Sequence, residues 1–197
     1  MVKVLESEIG QTVLATQPKL PRLRPLRQPL YDTNTINTTD VSYDFFKNVS
    51  GKTEFDTNMT QSGQLGTPNQ FDLLGLQFEV ARGVSKADHD LIYENGLLTW
   101  LFGNIVWLKV PLTKIPEGVG LNGAISTTVT ATTAAILSNG MPVATNFFNM
   151  ATIDRKGIRI TSNEAFGARL QLRSALSGLS ASHRARLYAL GILYSQL

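Results

Sequence analysis

The residues with the greatest capacity for chemistry are the two histidines, His89 and His183. His89 lies between two carboxylates in the run Asp88-His89-Asp90, a composition that would suit a metal site. Adjacent residues of a helix point in different directions, however, so these three side chains would not converge on one ion. We therefore interpret the triplet as a polar segment that caps and solubilises the end of a helix, and we expect no metal ligands.

The sequence contains none of the short motifs that mark common enzymes. There is no nucleophile elbow, Walker loop or H-E-x-x-H pair, and the G-x-G-x-x-G spacing of Gly118–Gly123 lacks the following helix of a dinucleotide site. The absence of cysteine excludes disulfides, thiolate metal sites and a cysteine nucleophile. Only a pair of carboxylates that are close in space but not in sequence, as in glycoside hydrolases, would leave no short motif. We expect a protein that is not an enzyme, with no catalytic residues and no cofactor.

Length and charge indicate one domain with an appendage. The chain has 197 residues, enough to bury a sizeable core. The formal net charge of +3 belongs to residues 1–30, since the basic and acidic side chains of residues 31–197 balance. No apolar run reaches transmembrane length, and we find no signal-peptide core, so we do not expect an integral membrane protein.

Residues 1–30 form the predicted appendage. They hold four of the eight prolines, which disfavour a helix or a central strand, and we expect an extended arm with no helix or sheet of its own. A floppy tail is the alternative, but an ordered arm is favoured because its leucines could dock. The predicted arm contacts are Leu20, Arg22, Leu23, Arg24, Leu26 and Arg27. Three arginines are few for a nucleic-acid arm, so lacing between proteins ranks above contact with a membrane or nucleic acid.

The body is organised around residues 97–111, which predict a β-hairpin. Two apolar runs flank Gly103-Asn104, a pair typical of a tight two-residue turn. The resulting register places Phe102 opposite Ile105, Leu101 opposite Val106 and Trp100 opposite Trp107. It therefore predicts that the only two tryptophans are adjacent across antiparallel strands.

Both faces of this predicted hairpin are apolar. One face carries Leu98, Trp100, Phe102, Ile105 and Trp107, and the other carries Leu97, Leu101, Val106, Leu108 and Val110. An antiparallel hairpin of a soluble sandwich usually shows water one polar face, so the second face needs a cover. The cover could be a loop, a helix or another subunit. We expect Trp100, Phe102 and Trp107 to lie in the hairpin core or at a contact between subunits.

The remaining pattern predicts further short strands and one short helix. Ser85 with Asp88 resembles a capping box, and Gly96 suits a helix stop. Strands are predicted at 41–46, 71–80, 147–153, 157–161, 165–172 and 183–194, with weaker signals at 52–59 and 124–138. In the strand at 71–80, Leu74, Leu76, Phe78 and Val80 should face inward. A helix is the open alternative for 183–194, and the whole indicates an all-β jelly-roll sandwich of eight to ten strands.

The order of several motifs resembles a known family. A strand ending in Phe78-Glu79-Val80 precedes a helix ending in Asn95-Gly96, and Val110-Pro111-Leu112 leads into a P-x-G-x-G loop. Gly140-Met141-Pro142, Asn146-Phe147-Phe148 and the segment 187–194, Leu-Tyr-Ala-Leu-Gly-Ile-Leu-Tyr, follow. Over residues 39–197 this order is similar to that of the jelly-roll capsid proteins of tailless icosahedral bacteriophages.

The resemblance implies a structural coat subunit. It would comprise an N-terminal arm over residues 1–30 and a single jelly-roll domain over residues 31–197. Copies would assemble in the host cytoplasm into an icosahedral shell, and the protein would be located in the virion. Its partners would be other copies of itself and other virion proteins. The rival interpretation is a β-sandwich carbohydrate-binding or adhesion module of a phage tail or fibre.

Overall fold

The computed structural model describes residues 23–81, 84–115 and 158–196. They form nine strands, one α-helix and one short 3₁₀ helix. The strands are β1 (Leu23–Leu26), β2 (Leu30–Ile36), β3 (Ser42–Phe45), β4 (Gln70–Val80), β5 (Gly96–Phe102), β6 (Ile105–Pro111), β7 (Ile158–Ile160), β8 (Phe166–Leu172) and β9 (His183–Gln196). Helix α1 spans Lys86–Asn95, and the 3₁₀ turn spans Leu112–Lys114.

The strands form two antiparallel sheets. In the five-stranded sheet the order is β1-β9-β4-β7, with β2 also paired to β9, and in the four-stranded sheet it is β3-β8-β5-β6. The sheets bury their facing sides in one apolar core, where Phe45 of one sheet meets Phe78 of the other edge-to-face at 6.1 Å between ring centroids. The predicted all-β sandwich with a single short helix is therefore confirmed for the described residues.

The long strand β9 joins three neighbours and settles the choice between strand and helix at 183–194. Ala185, Leu187 and Ala189 are buried, while the residues between them face the other side, which is the period-two pattern of a strand. At Gly191 a Cβ atom would lie 2.1 Å from the carbonyl oxygen of Asp72. Only glycine allows β9 to approach β4 this closely.

Strand β4 matches its prediction except at one residue. Its pairing with β9 jumps from Leu73 opposite Gly191 to Gly75 opposite Leu190, so Leu74 sits in a β-bulge. The prediction that Leu74 faces inward is wrong, because the bulge moves it to a half-exposed position on the outer side of the sheet.

Helix α1 begins as predicted. Ser85 caps it by accepting a hydrogen bond from the backbone N–H of Asp88 at 3.1 Å. Gly96, predicted as a helix stop, has an extended backbone (φ −85°) and is the first residue of β5. It is glycine for reasons of space, because a Cβ atom would lie 2.8 Å from the Ile92 carbonyl oxygen.

The polar region after residue 30 contains a strand that the pattern did not predict. Strand β2 pairs with β9 along its whole length, and its Asp32 is completely buried. Lys52 reaches that carboxylate with its Nζ atom at 2.7 Å, which ties the following loop to the sheet. The weak strand predicted at 52–59 is wrong, because this segment forms turns held by local hydrogen bonds.

Several sequence predictions lie outside the described residues. They are the strands predicted at 124–138 and 147–153, the glycine loop 118–123, and the arm residues 1–22, which include Leu20 and Arg22.

Candidate self-association surface

The central hairpin forms with the predicted turn. Gly103 takes a left-handed backbone (φ +57°), which glycine adopts without strain, and Gly103-Asn104 connects β5 to β6. Phe102 pairs with Ile105 and Leu101 pairs with Val106, as the loop length predicts. The turn and the first two pairs are thus correct.

The predicted pairing of Trp100 with Trp107 is wrong. The register shifts between Trp100 and Leu101, so that Trp100 lies opposite Leu108 and Trp107 becomes the extra residue of a β-bulge. A bulge places two residues of one strand opposite one of the other and re-aims the side chains around it. The two indole rings consequently occupy different environments.

Trp100 belongs to the sandwich core. Its ring is fully buried, stacks on Phe166 with 5.9 Å between centroids, and meets Phe46 edge-to-face at 5.7 Å. Its indole Nε1 has no hydrogen-bond acceptor among the residues that the structure describes. Phe102, at the end of the same strand, is partly buried and packs against this core. Two of the three predicted hairpin residues therefore support the hairpin from inside.

The outer strand of the hairpin, β6, begins with an apolar rim, which we define as Ile105, Val106 and Trp107. Their exposed fractions are 65%, 54% and 44%, respectively. A single exposed apolar residue needs no explanation, but three consecutive ones on a strand suggest a contact surface. Val106 was predicted on the second apolar face and Ile105 and Trp107 on the first, so apolar side chains of both predicted faces are open to solvent at this end of the hairpin.

Strand β6 also lies at the edge of its sheet. Among the described residues it pairs only with β5. The bulge at Trp107, together with Lys109 and Pro111, discourages indiscriminate pairing of another strand with its backbone. Side-chain packing on the apolar rim is therefore the mode of contact that this edge permits.

The described part of the arm contributes a strand to the five-stranded sheet. Leu23–Leu26 form β1 and pair with the end of β9, from Leu23 opposite Gln196 to Leu26 opposite Leu193. The prediction of an arm with no sheet of its own did not foresee that these residues join the sheet of the body, where Pro25 is tolerated at the edge. Leu23 is half-buried, whereas Arg24, Leu26 and Arg27 are exposed.

Among the described residues, no group of three or more His, Cys, Asp or Glu side chains converges as metal ligands would. His89 is buried and stacks on Tyr93 with 4.5 Å between ring centroids. Asp88 is also buried, so the interpretation of this triplet as a solvated helix end is wrong for both residues. Only Asp90 lies at the surface, where it pairs with Lys86.

Asp88 instead anchors α1 to the segment that leads into β9. Its carboxylate accepts hydrogen bonds from the backbone N–H of Ser180 at 3.0 Å and from the Ser180 hydroxyl, and contacts His183 Nε2 at 2.8 Å. Burial disfavours its charged form, but the bonds from Ser180 and His183 outweigh burial and hold the pKa of Asp88 below its ordinary value.

This cluster has the residue types of a catalytic triad without its geometry. In a triad the histidine lies between the nucleophile and the carboxylate. Here the carboxylate of Asp88 lies between Ser180 and His183, so the Ser180 hydroxyl donates to Asp88 rather than to a histidine. The cluster is a structural brace that fixes the start of β9 on the helix.

No protein-family model, no curated protein and no solved structure matches this chain. Within the described ranges, no helix is both long enough and apolar enough to cross a membrane.

Proposed function

We propose that the protein is a self-assembling structural subunit, namely a jelly-roll capsid protein of a tailless icosahedral bacteriophage. The observation that carries the proposal is the apolar rim at the edge of the four-stranded sheet. A rigid sandwich with an apolar edge is suited to side-by-side packing with another copy, because burying Ile105, Val106 and Trp107 would remove their apolar surface from water.

The location of the rim also favours assembly. It lies on a hairpin whose β5 strand is anchored in the core by Trp100 and Phe102, so the contact residues are held in place before association. The other sheet carries β1, and the exposed Arg24 in this strand and the exposed Arg27 that follows it are available for lacing to a neighbouring protein or for an anionic partner.

One observation favours the carbohydrate-binding alternative. Trp107 exposes 44% of its surface, and an exposed aromatic ring can stack on a sugar. In that interpretation the chain would act as a monomeric adhesion module, and the ring would contact a glycan rather than another copy.

Sedimentation velocity on the full chain tests the proposal. We expect the wild-type protein to form oligomers or particles, visible by negative stain, and the Val106→Asp variant to sediment as smaller species at the same concentration. Val41→Asp is the matched control, since Val41 is an exposed valine beside β3 at the opposite edge of the same sheet.

Three outcomes separate the candidates. Assembly that Val106→Asp reduces and Val41→Asp preserves supports the proposal. A wild-type monomer that binds a glycan array, with binding lost in Trp107→Ala, supports the adhesion module instead. Equal assembly of all three proteins would show that the apolar rim is not the contact.

A further inference from the structure

A second exposed aromatic residue is held at a fixed position on the outer side of the five-stranded sheet. Phe55 exposes 81% of its surface, the largest fraction among the large apolar residues of the described chain. It lies in the loop between β3 and β4, next to Glu54, which is also exposed. An exposed phenyl ring on a loop would ordinarily be mobile, so its supports decide whether it can act as an anchor.

The loop around Phe55 is fastened to β2 and β9 by several hydrogen bonds. Arg186 Nη2 donates to the Phe55 carbonyl at 2.6 Å, and the Tyr31 hydroxyl donates to the Glu54 carbonyl. Arg184 pairs with Asp56 on the following residue. The backbone on both sides of Phe55 is thus fixed, which lowers the entropy cost of using the ring in a contact.

The arginine that holds Phe55 is itself held. Arg186 Nε donates to the Thr33 hydroxyl at 2.9 Å. Its guanidinium lies over the rings of Tyr31 and Tyr188, at 5.3 and 5.9 Å from their centroids. Cation–π contacts of this kind add to the hydrogen bonds and keep the support rigid.

An apolar groove lies farther along the same outer face. It has a volume of about 380 Å³ and is lined by Arg27, Pro29, Leu74, Leu190, Gly191 and Ile192. The bulge in β4 turns Leu74 outward, and the outward residues of β9 next to it are apolar. The volume lies within the range of pockets that bind small molecules, so the groove has room for one phenyl ring.

The surroundings of ring and groove are complementary in charge. Glu54 is adjacent to Phe55, and Arg27 is at the groove; both are exposed, and neither has an ion-pair partner among the described residues. Arg186, which supports the ring, and Leu190, which lines the groove, are four residues apart on β9, or roughly 13 Å at about 3.3 Å per residue. Ring and groove of one chain are therefore separate sites on one face.

We propose that Phe55 of one copy inserts into this groove of a second copy, with Glu54 facing Arg27, and that the contact is reciprocal. Because both sites share one face, a two-fold axis can place each ring in the other chain's groove. The inference deepens the proposed function and rests on it for the premise that copies of the chain associate. It adds a contact on the five-stranded sheet to the apolar rim on the other sheet, and two distinct contacts are what an extended assembly needs.

Disulfide trapping tests the contact directly, since the chain contains no cysteine. We expect a mixture of Phe55→Cys and Leu190→Cys proteins to yield a covalent dimer on non-reducing gels under mild oxidation. Each single variant alone should cross-link several-fold less. The control mixture pairs Phe55→Cys with Val41→Cys, another exposed apolar position on the other sheet.

The outcomes distinguish this contact from the proposed function. Cross-linking above the control, retained when both proteins also carry Val106→Asp, supports a second and independent contact. Cross-linking no stronger than the control, in a protein that still assembles through the apolar rim, overturns the Phe55 contact and leaves the proposed function standing. A wild-type chain that stays monomeric, together with cysteine variants that do not cross-link above the control, overturns both.

Discussion

Replacing Trp100 by alanine is expected to lower the free energy of unfolding by about 3–5 kcal/mol, the usual cost of truncating a large buried aromatic residue. The ring is fully buried between Phe46 and Phe166, and its removal leaves a cavity between the two sheets. Urea unfolding followed by far-UV circular dichroism measures the loss.

Two matched variants make this expectation specific. Trp107→Ala should lower the free energy of unfolding by less than about 1 kcal/mol, because that ring is on the surface of an edge strand. Trp100→Phe should cost less than Trp100→Ala, because a phenyl ring can keep the aromatic contacts and the indole N–H has no acceptor among the described residues. Equal costs for Trp100→Ala and Trp107→Ala would contradict the bulged register, since a symmetric pair would bury the two rings alike.

Removing the Asp88 carboxylate should have the second large effect. Asp88→Ala leaves the Ser180 N–H and hydroxyl and His183 without their acceptor in a buried site, which we expect to cost about 3 kcal/mol. Asp88→Asn keeps the volume of the side chain but places an amide N–H donor near the donors of Ser180 and His183. It should lower the free energy of unfolding somewhat less than Asp88→Ala does. Asp90→Asn is the control, because its partner Lys86 is exposed and such pairs contribute little.

The pH dependence of the Asp88 brace follows from the direction of its pKa shift. The pKa is lower in the folded than in the unfolded protein, so the carboxylate stabilises the fold above its unfolded pKa of about 4. That contribution is lost as the pH falls through the lower, folded pKa. We expect the stability difference between wild type and Asp88→Asn to be large near pH 7 and to shrink below pH 4. A constant difference from pH 7 to pH 3 would contradict the role assigned to the carboxylate.

Local sequence patterns correctly predicted the structural features that depend only on residues close together in the sequence. The period-two alternation identified β4 and β9, the Gly-Asn pair identified the turn, and the Ser85 cap identified the start of α1. Each of these features is determined by the pleat of a strand, the backbone of a turn or the first orphan N–H groups of a helix, and all three can be recognised in a short stretch of residues.

The predictions that are wrong concern positions where the structure is determined by one extra residue in a strand or by a partner that is distant in the sequence. A bulge at Trp107 shifts the hairpin by one residue, and turn chemistry alone does not signal it. The partners of Asp88 lie more than 90 residues away, so the helix pattern alone indicated a solvated end. Strand β2 was missed because Asp32 and the threonines around it are polar, and their burial depends on Lys52 and on pairing with β9.

The most direct test of self-association is iodide quenching of Trp107 fluorescence. In the Trp100→Phe variant Trp107 is the only tryptophan, and its ring lies on the apolar rim. As protein concentration rises and the sedimentation coefficient increases, we expect the emission to shift to shorter wavelength and the quenching constant to fall. The same protein carrying Val106→Asp should keep a high quenching constant throughout. A Trp107 that stays fully accessible to iodide in the assembled protein would contradict self-association through the apolar rim.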